Sequence, residues 1–292
     1  MSPRTPIGHD LLEQLASLEI VDGPAKKLAK AVRSLKAPAK VNETLSGTWL
    51  GHPVHPLLIV VPMGSWISAV LLDWLGGEDA ETAADLLVGA GLAGAVPTVA
   101  TGYADWADTE PASDTVRRIG IVHAACNATA TGLFAASLAA RAGGARGRGK
   151  LLALAGLGTV GVGGYLGGHL TYAEGVGVNM ATFEEYPQDW TQVLADAAIG
   201  EGEMRAVDVD GVAILVVRSG GEVHALSDTC VHRGGSLADG ELVGDCVECP
   251  LHASRFRLED GSVEQGPAAY PQPALEARVR DGSIEVRAPQ RP

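Results

Sequence analysis

Aromatic side chains are scarce in this 292-residue chain: five Trp, five Tyr and three Phe, 4% of the residues. Positive charge is scarce as well, with 22 Lys and Arg against 35 Asp and Glu, a formal net charge of −13. The imbalance is sharpest towards the C-terminus, where residues 176–292 hold 9 basic and 20 acidic side chains. A surface that neutralises phosphates needs the opposite sign, so nucleic acid is excluded as a partner of that part. No basic start followed by an apolar core and a cleavage site opens the sequence, so a secretory signal peptide is not expected. Cysteine is limited to Cys126, Cys230, Cys246 and Cys249.

Gly and Ala are plentiful, and the mean hydropathy is positive, +0.14, despite the charge. That combination fits a membrane part joined to an acidic soluble part. Four apolar stretches supply the first. One runs over about Leu57–Leu75; the others are the 19 uncharged residues between Asp85 and Asp105, the 22 between Arg118 and Arg141, and the 23 between Lys150 and Glu174. Roughly 20 apolar residues cross a hydrocarbon core of about 30 Å, so each is predicted to span. Small residues in the last three would let helices approach closely in lipid. Ahead of them, residues 8–45 read as an amphipathic arm with Leu28, Val32 and Leu35 on one face. Lys26, Lys27, Lys30, Arg33 and Lys36 fill most of the rest, and two settings stay open: a solvated helix lying on the next domain, or an interfacial helix on anionic lipid.

Four spans return the chain to the side on which it started. His55 stands before span one, His123 lies near the start of span three and His169 near the end of span four, so all three collect on the side of the C-terminal domain. Ionisable residues within spans suggest function. Two readings stand open: caps and interhelical bonds, or ligands of a b-type haem or another metal, with a quinone pocket as a variant. Lys and Arg near the span ends are nearly balanced between the two sides. With no leader expected, and no disulfide signal in the soluble part, that part is expected on the cytoplasmic side of a multi-pass cell-membrane protein.

The soluble part carries the main chemical signal. Cys230-Val-His232 is followed by sixteen residues and then by Cys249-Pro-Leu-His252. Two thiolates and two imidazoles in two short segments suit a [2Fe–2S] centre in which two His replace two Cys on one iron. A Cys₂His₂ zinc site offers the same donors, but it usually starts from a Cys pair and ends in a His pair. Short β signals surround the motif. Val212–Val217 is rich in β-branched residues, Glu222–Leu226 follows Gly-Gly, and Asp281-Gly282 separates Leu275–Val279 from Ser283–Arg287 as a hairpin turn would. Cys246 reads as a buried strand residue.

With Arg233-Gly234-Gly235 after the first pair and Ala253-Ser254-Arg255-Phe256 after the second, residues 190–288 resemble the Rieske [2Fe–2S] family. The resemblance implies a small antiparallel β domain with the cluster on two loops. Cys230 and Cys249 would bind the buried iron, and His232 and His252 the outer one. Ser254 matches a hydroxyl donor of high-potential members, whereas Phe256 replaces their tyrosine, which implies an intermediate or low potential. Gly235 and Leu251 stand where members of the cytochrome bc type carry an extra disulfide, an absence that fits a reducing compartment. Only 40 residues, none of them His, follow His252, so the non-haem iron site of a Rieske oxygenase is not expected.

Residues 45–175 in turn resemble domain of unknown function 2231, a family of predicted four-helix membrane proteins, through His52, Pro53, His55, Pro56, Pro62 and Gly64. The expected fold is thus α + β and multidomain: arm 1–45, four-helix transmembrane bundle 46–175, linker 176–189 and antiparallel β Rieske domain 190–292. The expected function is one-electron transfer by a membrane-anchored carrier, whose acidic face would meet a redox partner with a basic docking patch. The rival is a self-contained membrane oxidoreductase with haem or quinone in the bundle, and the third reading is a redox sensor.

Overall fold

A computed structural model describes residues 8–36 and 38–290, which form two compact units. The first holds residues 8–36 and 54–176, the second residues 38–53 and 177–290. Residues 38–53, expected to divide between arm and bundle, therefore belong with the β structure. The expected linker 176–189 joins it almost entirely.

In chain order the helices are α1 (His9–Ala16), α2 (Asp22–Lys36), α3 (Ala39–Ser46), α4 (His55–Leu58), α5 (Val60–Leu75), α6 (Glu81–Thr109), α7 (Asp114–Ala142) and α8 (Arg146–Tyr172). Four helical segments are long and apolar enough to cross a membrane: His55–Leu75, Glu78–Thr109, Asp114–Ala142 and Arg146–Tyr172. Even the shortest, at 21 residues, reaches about 31 Å at 1.5 Å per residue. At the centre of this unit Trp66 stacks on Phe134 with ring centroids 4.3 Å apart. A Cβ on Gly91 would lie 2.3 Å from Trp66 Nε1, so the small residue is what lets the indole seat against α6.

Ion pairs close both ends of the unit. At one end Arg141 pairs with Asp73 and Asp85, and Arg146 pairs with Glu81 and Asp85. At the other end α2 docks through Ala25, Leu28, Ala29 and Val32 onto Trp106 and Ala107. Arg118 there pairs with Asp22, Arg33 with Glu110, and Lys36 with Asp108. Two expectations for the arm change. Leu35 is 76% exposed rather than on the docked stripe, while Lys36 is buried. Position 36 continues the face of residues 25, 29 and 32, and position 35 falls one residue, about 100°, round the helix from it, at the edge of the stripe beside Leu28.

The second unit is β-rich: β1 (Thr191–Ala195), β2 (Met204–Val209), β3 (Val212–Ser219), β4 (Glu222–Ser227), β5 (Glu241–Val243), β6 (Cys246–Glu248), β7 (Arg255–Arg257), β8 (Val263–Gln265), β9 (Ala274–Arg280) and β10 (Ser283–Arg287). Six strands pair in the order β1-β10-β9-β4-β3-β2 and four in the order β5-β6-β7-β8, and all pairings are antiparallel. Asp281 and Gly282, both at positive φ (50° and 76°), make the expected turn between β9 and β10, the conformation two-residue hairpins require. One core layer lies against the cysteine loops and joins Leu215, Leu226, Val247 and Phe256 to Cys230 and Cys249. A second core, around Ile214, Val216, Ile284 and Val286, lies on the opposite face of β3, as alternation along a strand dictates. The antiparallel β domain after four long apolar helices is the architecture the sequence implied.

Candidate metal centre

Cys230 follows β4 and Cys249 follows β6, and the two loops share one backbone design. The Cys230 N–H donates to the Gly235 carbonyl at 2.8 Å and its own carbonyl accepts from Gly234 N–H at 2.8 Å. The Cys249 N–H donates to the Ser254 carbonyl at 2.8 Å and its carbonyl accepts from Ala253 N–H at 3.0 Å. Each cysteine thus bonds to the residues four and five positions on. The residue at the fourth position is left-handed in both loops, Gly234 at φ 69° and Ala253 at φ 57°. Alanine is uncommon there, so the second loop carries strain that the first avoids.

This design buries the sulfurs and leaves the rings at the edge. Cys230 and Cys249 are 1% and 2% exposed, while His232 and His252 are half-buried with their Nδ1 atoms shut off from solvent. The imidazole centroids lie 5.0 Å apart at an interplanar angle of 87°. The two thiols share a hydrogen bond that lowers the pKa of Cys249 and raises that of Cys230. Two adjacent buried thiols beside two imidazoles fit the donor set of a cluster that takes sulfur ligands on one iron and nitrogen ligands on the other.

The surroundings contain a residue that sequence reasoning missed. Gln272, 1% exposed, accepts from Val231 N–H at 3.1 Å and donates to the Ser227 and Thr229 carbonyls at 2.8 Å each. It ties the first loop to the end of β4. Nothing in its sequence neighbourhood announces this, because its partners lie about forty positions away. Ser254 is fully buried and its Oγ accepts from Ala268 N–H at 3.0 Å. Cys246 is buried in β6, opposite Arg257. The segment expected as a linker also packs here: Met180 N–H donates to the Val231 carbonyl at 3.1 Å, and Ala181 enters the core of the site.

Of the histidines in the helical unit, His55 and His123 bond to neighbouring helices and His169 faces an acid just beyond its own helix. His55 Nδ1 lies 3.0 Å from the Thr98 carbonyl and 3.3 Å from Thr101 Oγ1. His123 Nδ1 lies 2.8 Å from the Gly163 carbonyl, and its Nε2 lies 3.0 Å from Asn127 Nδ2. His169 Nε2 faces Glu174 at 3.5 Å. Cβ atoms on Gly102 and Gly167 would fall 2.7 and 3.0 Å from the His55 and His123 rings, so both rings lie against helix backbones. Among the described residues no three His, Cys, Asp or Glu side chains gather as a single-ion site. This geometry gives the haem, metal and quinone readings of His55, His123 and His169 no support.

Comparison with known proteins agrees with the two-part architecture. Residues 189–277 match the Rieske [2Fe-2S] domain, and residues 51–180 match the family described as predicted membrane protein (DUF2231). Ferredoxin CarAc of Metapseudomonas resinovorans is 36% identical over 100 residues, which is 34% of this chain and 94% of that protein. The 3-phenylpropionate/cinnamic acid dioxygenase ferredoxin subunit of Escherichia coli K12 is 37% identical over 95 residues, 32% of this chain and 89% of that one. Among solved structures, the ferredoxin of carbazole 1,9a-dioxygenase from Nocardioides aromaticivorans IC177 aligns at 31% identity and a TM-score of 0.33, covering 35% of this chain and all of the other. The matched stretches, with ferredoxin CarAc at 36% identity over 94% of its length, make the chain a member of the Rieske [2Fe-2S] family, fused to a DUF2231 domain.

Proposed function

We propose that this protein is a membrane-anchored one-electron carrier whose cluster is held by Cys230, Cys249, His232 and His252. The observation that carries the reading is the pair of matched loops, with buried sulfurs and half-buried imidazoles. A [2Fe–2S] cluster bound there would accept and release single electrons. The loops would hold it in a dry cavity, and the half-buried imidazoles bring its outer iron close to the surface. Relatives that bear the names ferredoxin and dioxygenase ferredoxin subunit support delivery of electrons to a separate redox protein. The acidic excess over residues 176–292 suits a partner with a basic docking face, acting chiefly on encounter rate.

The four long apolar segments support anchoring in the lipid bilayer, with both ends of the chain on one side. That side is the cytoplasmic one. With α2 docked at the end formed by Trp106 and Arg118, Lys26, Lys27, Lys30, Arg33 and Lys36 join Arg117 and Arg118 there, against Arg141, Arg146, Arg148 and Lys150 at the other end. The basic excess then favours the cytoplasm for the end at which the chain leaves α8.

Full-length protein purified from membranes provides the test. The expected result is retention in the membrane after alkaline carbonate extraction, a Rieske-type EPR signal on reduction, a midpoint in the lower part of the class range of about −150 to +300 mV, and no Soret band. Extraction into the soluble fraction would remove the anchor, an absent EPR signal would remove the cluster, and a Soret band lost in His123→Ala would replace the carrier with a haem oxidoreductase.

A further inference from the structure

Thr48 lies outside both matched stretches, residues 51–180 and 189–277, yet it belongs to the β unit. It follows α3 through Gly47, which is left-handed at φ 89°, and begins a short 3₁₀ turn, Thr48–Leu50. That turn aims the Thr48 hydroxyl at the loop between β8 and β9. Thr48 Oγ1 donates to the Ala268 carbonyl at 3.0 Å. A Cβ on the buried Gly266 would lie 2.2 Å from the same oxygen, so only glycine admits this approach. His52 meets Tyr270 of the same loop edge-on, with centroids 5.8 Å apart.

The loop so held reaches the candidate cluster site. Ala268 is 1% exposed and shares a core with Cys230 and Cys249. Its N–H donates to Ser254 Oγ at 3.0 Å, and the Ser254 carbonyl accepts the Cys249 N–H at 2.8 Å. A serine hydroxyl has one proton and two lone pairs. Because Ser254 accepts from Ala268, its own proton is not used in that bond and is left for a second acceptor. Hydrogen bonds given to cluster sulfurs favour the reduced form and raise the potential.

We propose that Thr48 is a positioning residue for the cluster: it fixes the Gly266–Ala269 loop so that Ala268 orients the Ser254 hydroxyl towards the [2Fe–2S] group. The N–H and the carbonyl of Ala268 belong to different peptide groups, so Thr48 acts by holding the loop in place rather than by polarising one amide. The inference rests on the cluster reading above. It makes the segment preceding the first long apolar helix part of the redox site rather than a connector.

Redox titration of full-length protein in detergent, followed by EPR, tests it with Thr48→Val, Thr48→Ser, Ser254→Ala and the double variant Thr48→Val/Ser254→Ala. Thr48→Val should lower the reduced-to-oxidised ratio at fixed ambient potential about threefold, about 28 mV at 59 mV per decade for one electron. Thr48→Ser, which keeps the hydroxyl, should titrate as wild type. Ser254→Ala should lower the midpoint, and adding Thr48→Val should lower it no further. An unshifted Thr48→Val, or effects of the two substitutions that simply add, would overturn the proposal. Should Thr48→Val lose its cluster, Thr48→Ala removes the same hydroxyl and is read in its place; cluster loss in both makes Thr48 a folding residue and overturns the proposal equally. A wild-type protein without a Rieske signal would instead remove the proposed function, and the positioning role with it.

Discussion

Arg141 and Asp73 form a bidentate ion pair between α7 and α5, with Arg141 Nη1 2.9 Å from Asp73 Oδ1 and side-chain exposures of 1% and 0%. Asp85 accepts from the same guanidinium at 2.9 Å, and the Ser137 hydroxyl oxygen accepts from its Nε at 3.0 Å. Every part of the guanidinium is thereby held in a place with little water. Arg141→Ala leaves Asp73 buried without its principal partner, which costs about 3–5 kcal/mol where such pairs are broken. Replacing both, as Arg141→Met with Asp73→Leu, should recover much of that loss, because well-packed apolar residues can substitute for a buried pair. Thermal unfolding in detergent, followed by helical circular dichroism, checks both outcomes; an Arg141→Ala protein as stable as wild type would contradict the pairing.

The cysteines should divide into two classes. Cys249→Ser and Cys230→Ser should each abolish the visible spectrum and the EPR signal of the cluster, because each removes a buried sulfur donor. Cys246→Ser should keep both. Its thiol lies in β6 opposite Arg257, and burial raises its pKa, which keeps it neutral and weakly nucleophilic. Iron and sulfide analysis of the three purified variants measures this directly, and a cluster-free Cys246→Ser would mean that the third thiol takes part.

How much of this was legible depends on how local the signal is. Cys230, His232, Cys249 and His252 stand within two short segments, so their chemistry could be read at once, and Asp281-Gly282 carries its turn in two residues. Gln272, Thr48 and Lys36 act across long separations. Gln272 holds the first cysteine loop only because β9 pairs with β4. Thr48 reaches Ala268 across 220 positions, and Lys36 is buried because Asp108 waits at the end of α6. No periodicity marks Gln272 or Thr48, and Lys36, although it falls on the apolar face of its helix, carries a charge that reads by default as solvated. The segment 176–189 shows the same limit: its acids and Pro187 signal a loop, while the packing of Ala181 and Tyr186 comes from contacts that exist only after folding.

Tyr186 and Glu184 show one of those anchors. The Tyr186 hydroxyl donates to Glu184 Oε2 at 2.6 Å, and Ser227 Oγ at the end of β4 donates to the same oxygen at 2.6 Å. Burial, and then the Glu184 carboxylate, raise the Tyr186 pKa above its ordinary value of 10. A raised folded-state pKa means that the contribution is complete below pH 10 and is lost as the pH climbs through the folded value. Tyr186→Phe should therefore cost about 1 kcal/mol at neutral pH, below the usual range for a bond to a charged group because the site is half open to solvent. Urea unfolding of the two proteins at pH 7 and at rising pH above 10 should give curves that differ at the first pH and draw together progressively as the pH climbs towards the raised folded value.

Gly235 and Leu251 are neighbours across the two cysteine loops, as the resemblance to bridged family members implied. A Cβ built on Gly235 would lie 2.9 Å from Leu251 Cγ and 2.7 Å from its Cδ1. One bond back along Leu251, the two Cβ positions fall within about 4.4 Å, inside the range that disulfides span. Gly235 is not among the residues at positive φ, so its backbone accepts a side chain, and replacing Leu251 removes the atoms that would clash. The double variant Gly235→Cys/Leu251→Cys should thus close a bridge on mild oxidation, seen as the loss of two hydrogens in intact-mass spectra and reversed by dithiothreitol. Closing a loop of roughly this size should stabilise the β unit by about 3 kcal/mol in the chain-entropy account, read as a higher unfolding midpoint for oxidised than for reduced protein. The loops that must keep Cys230 and Cys249 in register are the ones so joined, so the oxidised variant should also hold its cluster longer against chelators. A bridge that forms while speeding cluster loss would mean that the two loops move relative to each other when the iron is bound.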